Sequence, residues 1–247
     1  MTDDNRVIGR VLLVSSDQPA ALQLTGLIQQ LAMSVEACPE INGALRLLHE
    51  RKFEAVIVDL ALGELAPTLL EQVRLSTSNR TAVTFAISGG REQSDVAYKA
   101  GSSFVLERPL VSDTIQHILK AAYGSIVRER RRYFRCPIAI TAVMQPKGSI
   151  QVVGQTVNIS EHGMALTLPV SLEAGSEGIV QFTLPEIQNP IVAESKVCWR
   201  NDKGQAGLFF LAISAHDRSE LQAWLARKLE EQLPQSVVGK FRQASSS

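Results

Sequence analysis

At Arg135-Cys136-Pro137 the hydrophobic pattern of this chain changes period, so the two halves call for different kinds of fold. Before that point, short apolar runs alternate with segments of helical spacing. Val11-Leu12-Leu13-Val14 and Ala55-Val56-Ile57-Val58 are continuously apolar, as strands buried on both faces are. Further strands are expected at Ser34 to Ala37, Ala82 to Ile87 and Phe104 to Leu106. Between them the sequence predicts helices. One is capped by Asp17, with Pro19 in its first turn, and runs to about Leu31. Others run from Ile41 to Arg51, from Leu65 to Arg74, and from Gln93 to Ala100, where Gly101 stops the helix. A last helix begins near Ser112. Five strand-then-helix units imply a doubly wound, five-stranded parallel sheet with helices on both faces.

Proline disfavours helix at the residue before it, so Pro137 ends that last helix. Beyond it the period is two. Ile138, Ile140, Ala142 and Met144 alternate with mixed residues. Val153, Val157 and Ile159 share one parity, and Thr156, Asn158 and Ser160 share the other. Strands are expected at Gly163 to Leu168, Gly178 to Leu184, Ile191 to Trp199 and Gln205 to Ala212. Short strands at this spacing predict an antiparallel barrel. A terminal helix from Asp217 to about Leu233 carries Leu221, Trp224, Leu225 and Leu229 at helical spacing. The expected division is 1–124, an arginine-rich joint at 125–136, a barrel with its helix at 137–233, and a disordered tail at 234–247. The helix from Ser112 to about Arg132 is expected to join the halves without a flexible linker.

The chain has 247 residues, of which 25 are basic and 25 acidic. With no net charge, any anion site must come from local clustering. Cys38, Cys136 and Cys198 are scattered, and His49, His117, His162 and His216 are isolated, so neither a disulfide framework nor a metal site is expected. The start, MTDDNRVIGR, has no apolar signal core, and no run reaches the roughly 18 apolar residues of a membrane span. These features predict a cytoplasmic protein without membrane insertion. No nucleophile elbow, phosphate loop or dinucleotide fingerprint occurs, so no enzyme is expected.

Several strand-end residues of the first half carry a resemblance. Asp59 ends VIVDL, Ser88 ends the next strand, and Arg108-Pro109 follows the last one. Over Arg10 to Tyr123 the chain resembles the receiver domain of response regulators. There a strand-end Asp accepts phosphate, two acidic residues hold magnesium, and Lys precedes the final proline. Asp59 matches the acceptor and Ser88 the hydroxyl position. Ser15-Ser16 replace the acidic pair, leaving only Asp17 beyond, and Arg108 replaces the lysine. Magnesium prefers carboxylate oxygens, so the expectation is a degenerate receiver in which Arg108 pairs with Asp59 and no phosphorylation occurs.

Arg128, Arg130, Arg131, Arg132 and Arg135 form a basic run with Glu129. Asn158-Ile159-Ser160-Glu161-His162-Gly163 follows about 23 residues later. On a strand, Asn158 and Ser160 share a face. Gly163 permits a positive φ and close backbone approach. From Arg128 to Leu233 the chain resembles the PilZ domain family, with its R-x-x-x-R motif before the first barrel strand and D/N-x-S-x-x-G on a following strand. Trp199-Arg200 and Gly207-Leu208-Phe209-Phe210 fit as well. The resemblance implies a receptor for cyclic di-GMP, with Arg130, Arg131, Arg135, Asn158, Ser160 and Gly163 as its ligand residues. Guanidinium forks match phosphate oxygens and guanine edges. His162 reads as a turn residue and Trp199 as packing. No cofactor beyond this ligand is expected, and no DNA partner, since no helix-turn-helix or broad basic face appears. A downstream protein partner is expected, and a homodimer stays open. The alternatives are an adaptor that binds no ligand and a phosphorylation-controlled regulator. The intact motifs argue against the first, and Ser15-Ser16 against the second.

Overall fold

A computed structural model of the chain describes residues 7–233 and 238–239. Its first half contains strands β1 (Gly9–Val14), β2 (Met33–Cys38), β3 (Ala55–Asp59), β4 (Val83–Ser88) and β5 (Phe104–Glu107). Between and after them lie helices α1 (Gln18–Gln29), α2 (Ile41–Glu50), α3 (Leu65–Leu75), α4 (Arg91–Lys99) and α5 (Ser112–Tyr133). The strands form one parallel sheet in the order β2-β1-β3-β4-β5. This is a doubly wound order, in which strand ends converge at the carboxyl edge of the sheet. Val11 to Val14 of β1 and Ala55 to Val58 of β3 are all buried, which is why both read as unbroken apolar runs. Asp17 caps α1 by accepting from the Ala20 N–H at 3.1 Å, and Gly101, at φ +93°, follows α4 as expected.

The second half contains β6 (Arg135–Pro137), β7 (Thr141–Pro146), β8 (Val152–Ser160), β9 (Gly163–Thr167), β10 (Glu177–Phe182), β11 (Ile191–Arg200), β12 (Gln205–Ile213) and helix α6 (Ala215–Glu231). Six of these strands close an antiparallel barrel, β8-β7-β10-β11-β12-β9, with β9 pairing back to β8. Its interior includes Met144, Ile159, Leu166, Val180, Leu208 and Phe210. There Phe182 stacks on Phe210 with ring centroids 6.0 Å apart. Leu221, Trp224, Leu225 and Leu229 are the buried residues of α6, as their spacing predicts. The chain divides into two compact units, the first running to Arg130 and the second comprising Arg131–Glu231. The tail expected at 234–247 lies outside the described residues apart from 238–239. Among the described residues, no helix is long and apolar enough to cross a membrane.

Two expectations from alternation fail, each at a backbone irregularity. Residues 138–144 are not one strand. β6 pairs with the far end of β8, the chain steps across at 138–140, and β7 pairs with its near end. Thr156 secures the step. Its hydroxyl donates to the Ile138 carbonyl at 2.5 Å and accepts from the Ile140 N–H at 3.0 Å. The parity of β8 also breaks, because a bulge lies between Thr156 and Asn158. Thr156 is buried with the core, Val157 is 38% exposed, and Ile159 is fully buried. A bulge adds one residue to one strand and so reverses the faces beyond it.

Candidate functional site

The pairing of β6 with β8 brings the two sequence motifs of the second unit together. Arg135 stands directly opposite Ser160, and Pro137 opposite Asn158. Directly opposed residues of a sheet share a face, so Arg135, Asn158 and Ser160 lie on one face of this ribbon, with Arg135 exposed. Cys136 and Ile159, between them, are buried. The bulge matters here. It keeps Ile159 in the core while Asn158 and Ser160 stay on the opposite face.

The hairpin from β8 to β9 turns through Glu161 and His162, with Ser160 opposite Gly163. The Ser160 hydroxyl donates to the Gly163 carbonyl at 3.0 Å. Its lone pairs remain for an external donor. Gly163 is required for a different reason from the one expected. Its φ is not among the positive values. Instead, a Cβ there would stand 2.0 Å from the Leu208 carbonyl oxygen. The same close approach recurs at Gly207, where a Cβ would stand 2.0 Å from Nε1 of Trp199. Trp199, read from sequence as packing, is 46% exposed and lies against Gly207. Strict alternation with buried Val197 would send Trp199 inward, but an irregularity between Val197 and Trp199 turns it out. Ala165 links the two positions, since it pairs with Asn158 on one side and Gly207 on the other.

Hydrogen-bonding capacity at the site is not fully used. The Asn158 Oδ1 is buried without a hydrogen-bond partner among the described residues. Burial pushes the Arg131 guanidinium below its usual range, while the carboxylates of Glu230 and Glu161 act in the opposite sense. Gln222 of α6 hydrogen-bonds the Glu161 carboxylate. His162 lies in the hairpin turn, where its carbonyl accepts from the Phe210 N–H at 2.8 Å.

Arg130 belongs to the first unit. Its guanidinium lies 3.8 Å from the Glu54 carboxylate. The adjacent Glu129 is buried and accepts from the Thr81 hydroxyl at 2.6 Å and from Lys52. Sequence reading did not mention Glu54 and named Glu129 only as the acidic member of the arginine run. A charged residue just before a buried apolar strand, as Glu54 is before β3, was the available signal for the first.

The strand ends of the first unit form a second cluster. Asp59, 1% exposed, accepts from the Ser15 hydroxyl at 2.7 Å, from Arg108 at 2.8 Å and from the Ala61 N–H at 3.1 Å. The other arm of Arg108 reaches Asp17 at 2.7 Å. Burial works against the Arg108 charge, but its bonds to Asp17 and Asp59 leave the guanidinium above its usual range. Its hydrogen bond from Ala20, then Arg108, holds the Asp17 carboxyl below the usual carboxylate range. The guanidinium thus occupies the space between the two carboxylates. With serines at 15 and 16, this donor set does not fit magnesium. Ser88 is buried and donates to the Gly90 carbonyl at 2.6 Å.

A cleft elsewhere on the barrel, lined by Gln145, Lys147, Glu177 and Glu194 among others, contains none of the motif residues. Its Lys147 and Glu177 are already paired at 2.7 Å.

Residues 129–227 match the family model described as the PilZ domain. The chain is similar in structure to the receiver domain of a sensor histidine kinase from Pseudomonas aeruginosa. The match has 18% identity and a TM-score of 0.43, and covers 47% of this chain and 98% of that one. It is similar also to a response regulator receiver domain protein from Methanospirillum hungatei, with 17% identity, a TM-score of 0.44 and coverage of 49% and 97%. A response regulator from Thermotoga maritima matches with 18% identity, a TM-score of 0.41 and coverage of 48% and 97%. No curated protein matches the chain.

Proposed function

We propose that this chain, whose residues 129–227 are a PilZ domain behind a receiver-like domain, is a receptor for cyclic di-GMP. The observation that carries the reading is the β6–β8 pairing. It sets Arg135 opposite Ser160, with Asn158 two residues along the same strand and its Oδ1 unpartnered among the described residues. A buried polar atom without a partner is costly, and a ligand that supplies one removes that cost. The ligand has two phosphates and two guanines. Arg131 and Arg135 suit the phosphates and the O6/N7 edges, and Asn158 Oδ1 suits the amino and imino donors of a guanine. The Ser160 lone pairs accept from the same edge, Gly163 lets the strand approach closely, and Arg130 adds a further cation.

The chemistry is binding rather than catalysis. Signalling follows if the ligand orders the arginine run and thereby biases one arrangement of the chain that a downstream protein recognises. This is a population shift driven by differential affinity. The receiver-like domain serves as a scaffold, because Arg108 supplies a fixed cation between Asp17 and Asp59.

Titration calorimetry with cyclic di-GMP on the wild type and Arg131→Ala tests the proposal. Saturable heat in the wild type, weakened at least about tenfold in the variant, is expected for loss of one charge-assisted phosphate contact. No heat from the wild type at tens of micromolar ligand would leave the ligand-free adaptor as the better reading.

A further inference from the structure

We infer that Glu54 withholds Arg130 from anions, so that a residue of the receiver-like unit tunes how strongly the arginine run binds a bis-phosphate ligand. This rests on the ligand reading above. The geometry of two neighbouring carboxylates points to it.

Glu129 and Arg130 are consecutive residues of the last turns of α5, and both meet partners within the first unit. Glu129 is held by short contacts, from Thr81 at 2.6 Å and from Lys52, and it is buried. Those contacts set the position of the helix. Arg130 is held differently. Glu54, 1% exposed, turns Oε2 to the Arg10 N–H at 2.6 Å and Oε1 to the Arg130 guanidinium at 3.8 Å. That distance is too long for a hydrogen bond. The Arg130 Nε is buried without a hydrogen-bond partner among the described residues.

The guanidinium is therefore shielded and electrostatically balanced, yet its fork is poorly satisfied. A phosphate offers what Glu54 does not, two parallel short bonds that include Nε–H. Because Glu129 fixes the helix, the Arg130 head group can change partner while α5 stays anchored. The opposing term is the Glu54 carboxylate, which would be left buried without its cation. Burial already pushes the Glu54 carboxyl above its usual range, with Arg130 the largest opposing influence. Affinity at Arg130 is thus a balance between phosphate and Glu54.

The test is a double-mutant cycle. Glu54→Gln keeps an acceptor for the Arg10 N–H and removes the charge. Calorimetric affinity for cyclic di-GMP is expected to rise roughly three- to tenfold, the coupling range of neighbouring charged groups. The gain should vanish when Arg130→Ala is also present. Unchanged affinity in Glu54→Gln, or a gain that survives in the double variant, would overturn the inference. If Glu54→Gln fails to fold, Glu54→Asp withdraws the carboxylate from Arg130 and carries the same expectations.

A ligand-free measurement separates this inference from the ligand reading. Solvent exchange of the Arg130 Nε–H, followed by nitrogen-edited NMR, should be slow in the wild type and faster in Glu54→Gln. Equal exchange rates would overturn the restraint even if the dinucleotide binds. Different rates without dinucleotide binding would sustain the restraint and sink the ligand reading alone.

Discussion

A guanidinium between Asp17 and Asp59 has consequences opposite to those of a metal ion. It bonds both carboxylates and offsets one of their two charges, but offers no open coordination position to a phosphoryl group. Incubation with acetyl phosphate is therefore expected to leave the intact mass unchanged, and an added phosphoryl group lost in Asp59→Ala would refute this. Arg108→Ala removes the cation beside a buried carboxylate that keeps, among the described residues, the Ser15 hydroxyl and the Ala61 N–H. A loss of about 2–3 kcal/mol is expected in urea unfolding, and a loss below 0.5 kcal/mol would count against the pair as a structural element. Gly163 makes a different kind of demand. A Cβ 2.0 Å from the Leu208 carbonyl oxygen forces β9 and β12 apart, so Gly163→Ala should cost about 1–3 kcal/mol. Thermal unfolding that matches the wild type would show that the approach is not tight.

Among the elements, β8 pairs with β6, β7 and β9, and the hydroxyl of its Thr156 holds the step between β6 and β7 beside it. Thr156 receives the Ile140 N–H and reaches the Ile138 carbonyl, so the chain can leave β6 and join β7 on the same edge of β8. Thr156→Val keeps the shape and leaves both backbone groups unpaired. We expect a loss of about 1–3 kcal/mol in stability and weaker dinucleotide binding, since the Arg135–Ser160 pairing depends on β6 staying in place. Thr156→Ser should restore both, and affinity unaffected in Thr156→Val would show that the step does not position the site. Little of this was legible in sequence. Alternation placed most barrel strands within a few residues of their observed ends. It could not see the bulge before Asn158 or the irregularity before Trp199, because a bulge is settled by pairing with a neighbouring strand rather than by local side-chain preference. β6 escaped for a related reason. Three residues carry too little pattern to be read as a strand, and they become one only because β8 offers an open edge.

At the scale of the whole molecule, the 25 basic and 25 acidic residues cancel, so long-range attraction of an anion is weak and the proposed binding would depend on local charge. Affinity for cyclic di-GMP should fall severalfold as ionic strength rises from about 0.05 to 0.5 M, where the screening length drops well below 10 Å. The fall should be shallower in Arg135→Ala, and a salt-independent affinity would argue against an arginine-centred site. The sequence by itself determined the class of each half. The period of the apolar residues distinguishes a sheet covered by helices from a barrel with one wet face, and burial enforces that period along each segment. It also determined the motif residues, because their chemical types and spacing are local. Only the tertiary structure decided where those residues stand relative to one another. Strand pairing sets Arg135 opposite Ser160, a bulge keeps Asn158 beside it, and a carboxylate 76 positions before Arg130 in the chain lies 3.8 Å from that arginine's guanidinium. These are contacts between segments distant in sequence, and their geometry follows from how the elements pack rather than from the residues of either segment alone.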